Sequence, residues 1–145
     1  MKKITTGELI NKSASPCFRV ARGLSGLGLV ATRDITRGQT IVEYIGPLLS
    51  RTEADDKGGR YLFDVNSRWT MDGSGRTNVA RYVNHSCRPN AEAVIKNRRI
   101  FITALKKIKP GEEICYDYGK EYFDEFIEPH GCHCASCQKK SPKRV

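Results

Sequence analysis

A chain of 145 residues is about the size of one compact domain and too short for two ordinary cores. Its 39% hydrophobic content, with six Tyr, five Phe and one Trp, can fill one core and excludes wholesale disorder, while no apolar run approaches the ~20 residues that span a bilayer. The formal charge of +9 and pI of about 9.4 suit nucleic acid or another anionic surface as partner, and with no spanning segment no membrane partner is expected.

Residues 1–17 read as an N-terminal arm: Met1 to Lys12 carries lysines but no continuous apolar stretch, so it lacks the pattern of a secretory signal. A reducing compartment, cytoplasmic or nuclear, is therefore expected. Short β-type runs follow at Pro16–Arg22, Leu29–Thr32, Thr40–Ile45 and Tyr61–Val65, then Ala91–Ile95, Ile100–Leu105 and Glu113–Tyr118, each bounded by Gly, Pro, Asn or Asp. The fold class predicted is mostly β with short helices. A helix is expected over Arg51–Lys57 with Ser50 as N-cap, and a helical turn around Asn78–Val83. Asn97-Arg98 reads as a hairpin tip and Lys109-Pro110-Gly111 as a tight turn. The last residues, 139–145, form a basic tail. Between residues 112 and 128, seven carboxylates face one lysine, Lys120, so a basic chain carries a local stretch suited to a basic peptide.

Cys132, Cys134 and Cys137 are packed too closely for comfortable internal disulfides. Three thiolates so spaced suit a structural zinc ion, which takes four ligands in a tetrahedron. Candidates for the fourth are Cys87, His130 and His133. Cys87 is favoured, because His133 lies between two ligands and would strain to turn inward. Cys115, between Ile114 and Tyr116, reads as a small buried hydrophobe.

Gly26-Leu27-Gly28 opens a strand and allows close backbone approach to a ligand, but lacks the third glycine and the helix of a dinucleotide site. Asn84-His85 offers paired donors and acceptors for a heterocycle edge. The adjacent Ser86 lacks a nucleophile elbow and a carboxylate orienter, which argues against a hydrolase. Tyr116 and Tyr118 share one side of a strand end, and Tyr44 ends another strand; hydroxyls at such positions can hold an amine.

Four ordered elements carry a resemblance: Gly26-x-Gly28, Tyr44-x-Gly46, the run Arg81 to Asn90 (RYVNHSCRPN) and the run Gly111 to Gly119 (GEEICYDYG), followed by the Cys-rich tail. Over Phe18 to Cys137 the chain resembles the SET-domain family of protein lysine methyltransferases, with a tail like the family's post-SET segment. The resemblance implies a fold of small β-sheets with a C-terminal pseudoknot. It divides the chain into a SET domain over 18–122 and a post-SET zinc segment over 123–138. It implies S-adenosylmethionine as cofactor, with Gly26, Leu27 and Gly28 along its methionine part. Tyr61 and Arg81 would line the pocket, Asn84 and His85 would meet the adenine end, and Tyr122 would stack near it. Cys87, Cys132, Cys134 and Cys137 would hold zinc.

The resemblance makes Tyr118 the catalytic tyrosine, also at the cofactor, with Tyr44 holding the amine. Tyr116 stands where the family has Phe or Tyr, and a tyrosine there implies mono-methylation with some di-methylation. The expected substrate is a lysine in a basic protein tail, histone or histone-like. No Cys-rich region precedes the SET core, as in small bacterial or viral forms. The rival readings are a zinc-stabilised basic binding module without catalysis and a partner-binding subunit, neither of which calls for tight cofactor binding.

Overall fold

The computed structural model describes residues 16–23 and 26–140. Most of the expected arm, Ser25 and residues 141–145 of the expected tail lie outside the described residues. Ten strands occur among the described residues. In the first half they are β1 (Phe18–Gly23), β2 (Gly26–Ala31), β3 (Thr40–Tyr44), β4 (Leu48–Ser50), β5 (Leu62–Asp64) and β6 (Trp69–Asp72). The second half adds β7 (Asn84–His85), β8 (Ala91–Lys96), β9 (Arg99–Ala104) and β10 (Glu113–Tyr116). Helix α1 (Arg51–Lys57) follows β4, and a 3-10 turn covers Val79–Tyr82. Near the C-terminus α2 (Lys120–Tyr122) continues into a wide π turn over Phe123–Ile127 and a 3-10 turn over Glu128–His130, with α3 at Ala135–Lys140.

The strands form three small sheets, in the orders β3-β9-β8, β1-β2-β10-β7 and β4-β6-β5. The mostly-β expectation is met, and the seven runs picked out by alternation are all strands with shifted ends. Three strands were not foreseen. β4 has three residues, β7 has two polar ones, and β6 is flanked by Asn66 and Gly73 rather than by a regular apolar pattern. The helical turns over 120–130 and α3 were likewise not expected, since their aromatic and acidic residues show no long apolar period.

Local rules account for the pieces that were legible. Ser50 closes a capping box: its Oγ accepts the Glu53 N–H at 3.1 Å while Glu53 Oε1 accepts the Ser50 N–H at 2.8 Å. Asn97 and Arg98 both take positive φ, 51° and 62°, the left-handed pair that a two-residue hairpin between β8 and β9 requires. Along β9, Ile100, Ile102 and Ala104 point inward while Arg99, Phe101 and Thr103 face outward. The core joins those residues to Leu29, Ile35, Ile108 and Ile114, all fully buried.

The element that positions the site is β10. It enters between β2 and β7, antiparallel to the first and parallel to the second, pairing Cys115 with Asn84 and Tyr116 with His85. Asn90 clamps the crossing: its Oδ1 accepts the Cys115 N–H at 2.9 Å and its Nδ2 donates to the Glu113 carbonyl at 2.9 Å. The Ser86 N–H bonds the Tyr116 carbonyl at 3.0 Å, so the 84–90 segment runs along the C-terminal strand.

A second constraint fixes the end of β3. Asn78, 1% exposed, accepts the Ile45 N–H through Oδ1 and donates from Nδ2 to the Gly73 carbonyl. Beside it, a Cβ on Gly46 would lie 1.9 Å from the Asp72 carbonyl oxygen, which explains the glycine two residues after Tyr44. Gly46→Ala is expected to cost roughly 1–3 kcal/mol or more, by analogy with overpacked cores. The urea midpoint measures this, and an unchanged midpoint would show that the neighbouring backbone yields freely.

Candidate functional site

Two clefts meet behind β10. The larger, about 610 Å³, is walled by Tyr44, Phe63, Tyr116, Tyr118 and Tyr122 and rimmed by the exposed acids Asp55, Asp64, Glu121 and Glu125. The smaller, about 230 Å³, is bounded by Asn84, His85 and the Cys132–Cys134 turn. Arg60, Tyr61, Arg81, Tyr118, Tyr122 and Phe126 border both, so the two spaces share one wall.

That wall is aromatic. Ring centroids run in a chain from Tyr44 to Phe63 at 5.3 Å and from Phe63 to Tyr116 at 6.3 Å. The chain continues from Tyr116 to Tyr118 at 5.0 Å, Tyr118 to Tyr122 at 4.8 Å and Tyr122 to Phe126 at 4.7 Å. Tyr44 donates its hydroxyl to the Tyr61 carbonyl at 2.7 Å, and Tyr118 donates its own to the Val83 carbonyl. Burial, reinforced by the neighbouring phenols, pushes Tyr44, Tyr116 and Tyr118 well above the ordinary tyrosine pKa. Arg81 stacks over Tyr61 at 4.6 Å and donates to the Ser74 carbonyl at 2.8 Å. Its Nε is buried and has no hydrogen-bond partner among the described residues.

Asn84 Nδ2 donates to the Leu27 carbonyl at 2.9 Å and to Glu113 Oε2 at 2.8 Å. With both amide hydrogens spent there, what Asn84 can offer a ligand is its Oδ1 acceptor. A Cβ on Gly28 would sit 2.3 Å from Glu113 Oε2 and 2.9 Å from Asn84 Nδ2, so the bare strand makes room for this pair. Gly26, Leu27 and Gly28 do not line either cleft; they approach it through Asn84. Sequence reading passed over Glu113 and Asn78. Both lie far in sequence from the groups they orient, and no local pattern marks them.

His85 is buried, and burial holds its pKa below the ordinary imidazole value, although Asp117, 3.8 Å away, opposes the shift. Its Nδ1 accepts the Tyr118 N–H at 3.1 Å, and its Nε2 lies 3.4 Å from Cys87 Sγ.

The sulfurs of Cys87, Cys132, Cys134 and Cys137 all lie within 4.8 Å of one another, with Cys87 at 3.9 Å from Cys132 and 3.6 Å from Cys137. Four thiolates about 2.3 Å from a tetrahedral ion sit about 3.8 Å apart, so the donor set and spacing fit zinc. Cys134 is buried, which raises its pKa, but N–H groups of Cys87 and Cys137 at 3.5 and 3.4 Å outweigh this and bring it down to about 6. His130 and His133 border the smaller cleft and lie outside this group of four sulfurs, which Cys87 joins. Cys115 is apart too, its thiol pushed up to about 12 by burial and the Glu113 charge.

The buried phenols have a measurable consequence. Their folded pKa lies above the unfolded value of 10.0, so the stability they carry is complete below that pH and lost as pH rises past it. Ionisation of Tyr44, Tyr116 and Tyr118 is therefore expected only together with alkaline unfolding. Following tyrosinate absorbance and circular dichroism over one pH series tests this; six phenols ionising near pH 10 in a still-folded protein would contradict it.

The profile of the SET domain matches residues 26–119, well over half of the chain. Over 128 residues the chain is 35% identical to histone-lysine N-methyltransferase trithorax of Drosophila virilis, covering 80% of this chain and 3% of that protein. It is 32% identical over 130 residues to human histone-lysine N-methyltransferase 2D, covering 80% of this chain and 2% of that protein. With histone-lysine N-methyltransferase ASHH3 of Arabidopsis thaliana it shares 31% identity over 130 residues, 79% of this chain and 35% of that protein. The chain thus spans a small part of these relatives. The matched span takes in β2, β10, Asn84, His85 and Tyr118, and the chain belongs to the SET-domain family.

Proposed function

We propose that this chain is an S-adenosylmethionine-dependent protein-lysine N-methyltransferase acting on a basic protein tail, histone or histone-like. The observation that carries this reading is the shared aromatic wall, which gives two clefts a common boundary at Tyr118. The smaller cleft suits the cofactor: the Asn84 Oδ1 offers an acceptor, and Tyr122 offers a stacking face. His85 borders the same space, and Gly26, Leu27 and Gly28 support it through Asn84. Bound there, S-adenosylmethionine supplies a methyl group made electrophilic by its sulfonium.

The larger cleft suits the lysine. An ammonium with a reference pKa of about 10.4 must lose its proton before attack, and an apolar aromatic channel disfavours the charged form. Tyr118 and Tyr44 would then position the neutral amine, and Tyr61 and Arg81 would close the walls. The four acids at the rim favour a cationic peptide. Tyr116, packed against Tyr118, leaves a hydroxyl where successive methyl groups need room, which favours mono- or di-methylation. We assign zinc to Cys87, Cys132, Cys134 and Cys137, as the core of a post-SET segment over 123–138 that follows the SET domain over 18–122. A histone substrate implies work on chromatin in the nucleus, and a bacterial or viral histone-like one implies the cytoplasm.

Labelled methyl transfer to a panel of basic proteins tests the activity, with lysine products read by mass spectrometry. Tyr118→Phe is expected to lower turnover about 100-fold, and Tyr116→Phe to shift product toward trimethyl-lysine. Absence of cofactor binding would favour a binding module, whereas cofactor binding without transfer to any basic protein or to the chain itself would count against a basic tail as the substrate. Chelation is expected to release one zinc per chain and to lower the melting temperature; an unchanged transition after chelation would remove the zinc assignment.

A further inference from the structure

Tyr118 is gripped at both ends by one segment. Its phenol donates to the carbonyl of Val83, and its backbone N–H donates to His85 Nδ1 at 3.1 Å. A ring nitrogen that accepts an N–H carries no proton, so the imidazole proton belongs on Nε2. That nitrogen lies 3.4 Å from Cys87 Sγ and can donate to the thiolate. The ring itself is wedged between Tyr118 at 5.4 Å and Phe123 at 5.3 Å. Among the described residues the carboxylate facing it is Asp117, 3.8 Å from the nitrogen that already accepts the Tyr118 N–H.

We infer that the His85 imidazole is a positioning residue that ties the cysteine cluster to Tyr118, so that metal occupancy at Cys87 fixes the backbone carrying the tyrosine of the transfer site. This rests on the methyltransferase and zinc assignments above and adds a coupling between them. Both ring nitrogens are engaged within the protein, one to the backbone of Tyr118 and the other to sulfur. The side chain therefore has no free polar edge for the cofactor, which His85 can meet only through its backbone. Partners of metal ligands that bond outward in this way typically matter 10–100-fold for metal affinity or activity, by ~1.4–2.7 kcal/mol.

Two substitutions separate the halves of the link. Asn at this position can place an oxygen near the Nδ1 site and accept the Tyr118 N–H without reaching the sulfur. Gln can place an amide near the Nε2 site and donate to sulfur without serving Tyr118. In zinc-loaded protein, His85→Gln and His85→Ala are expected to lower kcat about tenfold with little change in KM for S-adenosylmethionine, and His85→Asn, which keeps the Tyr118 bond but not the one to sulfur, to recover only part of the loss. A raised KM with unchanged kcat would overturn the inference, because it would put the side chain on the cofactor.

A resonance measurement on the wild-type protein needs no substrate. With a spin-active cadmium isotope in the cluster, the His85 Nε2 proton is expected to couple to the metal through Cys87 Sγ. The Tyr118 amide, assigned by its loss from tyrosine-labelled spectra in Tyr118→Phe, is expected to shift between zinc and cadmium forms. Absence of that coupling, a Tyr118 amide indifferent to the metal, or a cluster that takes up no cadmium overturns the inference. Failure of methyl transfer alongside an intact coupling would instead count against the catalytic reading. Because this arm uses the unmodified side chain, it stands even if the His85 variants do not fold.

Discussion

A strand of four residues carries the architecture of the site. β10 has partners on both sides, so its backbone groups are paired in an interior where an unpaired one costs about 1–3 kcal/mol. One of those partners, β7, is only two residues long and is polar in sequence. Asn90 adds further bonds to β10, taking the Cys115 N–H and giving to the Glu113 carbonyl.

From that pairing the chemistry-bearing groups fall into place without long elements to hold them. Register sets Tyr116 beside His85 and directs the chain onward so that Tyr118, Tyr122 and Phe126 stack in sequence. The glycines of the first motif serve the same end from the other side, because the bare surface of β2 lets Glu113 and Asn84 meet. The C-terminal turns then bring three cysteines to the one in the 84–90 segment. Apolar stacking, an amide held by a carboxylate and four thiols occupy one contiguous region, each group dependent on the same crossing.

Legibility followed locality. The inward Ile100, Ile102 and Ala104 of β9, the Ser50 cap and the Asn97-Arg98 tip are patterns within a few residues, and physical rules of that range recover them. The cysteine cluster was legible because three of its members lie within six residues, while the fourth needed either a choice among candidates or the family resemblance. Asn78, Glu113 and the 120–130 turns were not legible. Asn78 reads as a loop polar residue until its two backbone partners at Ile45 and Gly73 are known. Glu113 reads as an exposed strand acid until Gly28 is seen to make space for it. β7 shows no alternation, since side-chain period cannot be read from two residues. The two-sided cleft, and with it the common wall at Tyr118, depends on pairings between distant parts of the chain that composition does not encode.

The same crossing governs how the molecule comes to be folded. β2 precedes its partner β10 by more than eighty residues, and Cys87 precedes Cys137 by fifty. Contacts of such separation close large loops before they return stability, and chains dominated by them fold slowly. During synthesis the β1–β2 and β8–β9 hairpins can pair as soon as they emerge, whereas β2 and β7 await a strand made later. The Asn84–Cys87 segment acquires its neighbours last of all, when the final cysteine has left the ribosome. Until β10 is made the chain exposes two unsatisfied strand edges, which are open to mispairing with other copies.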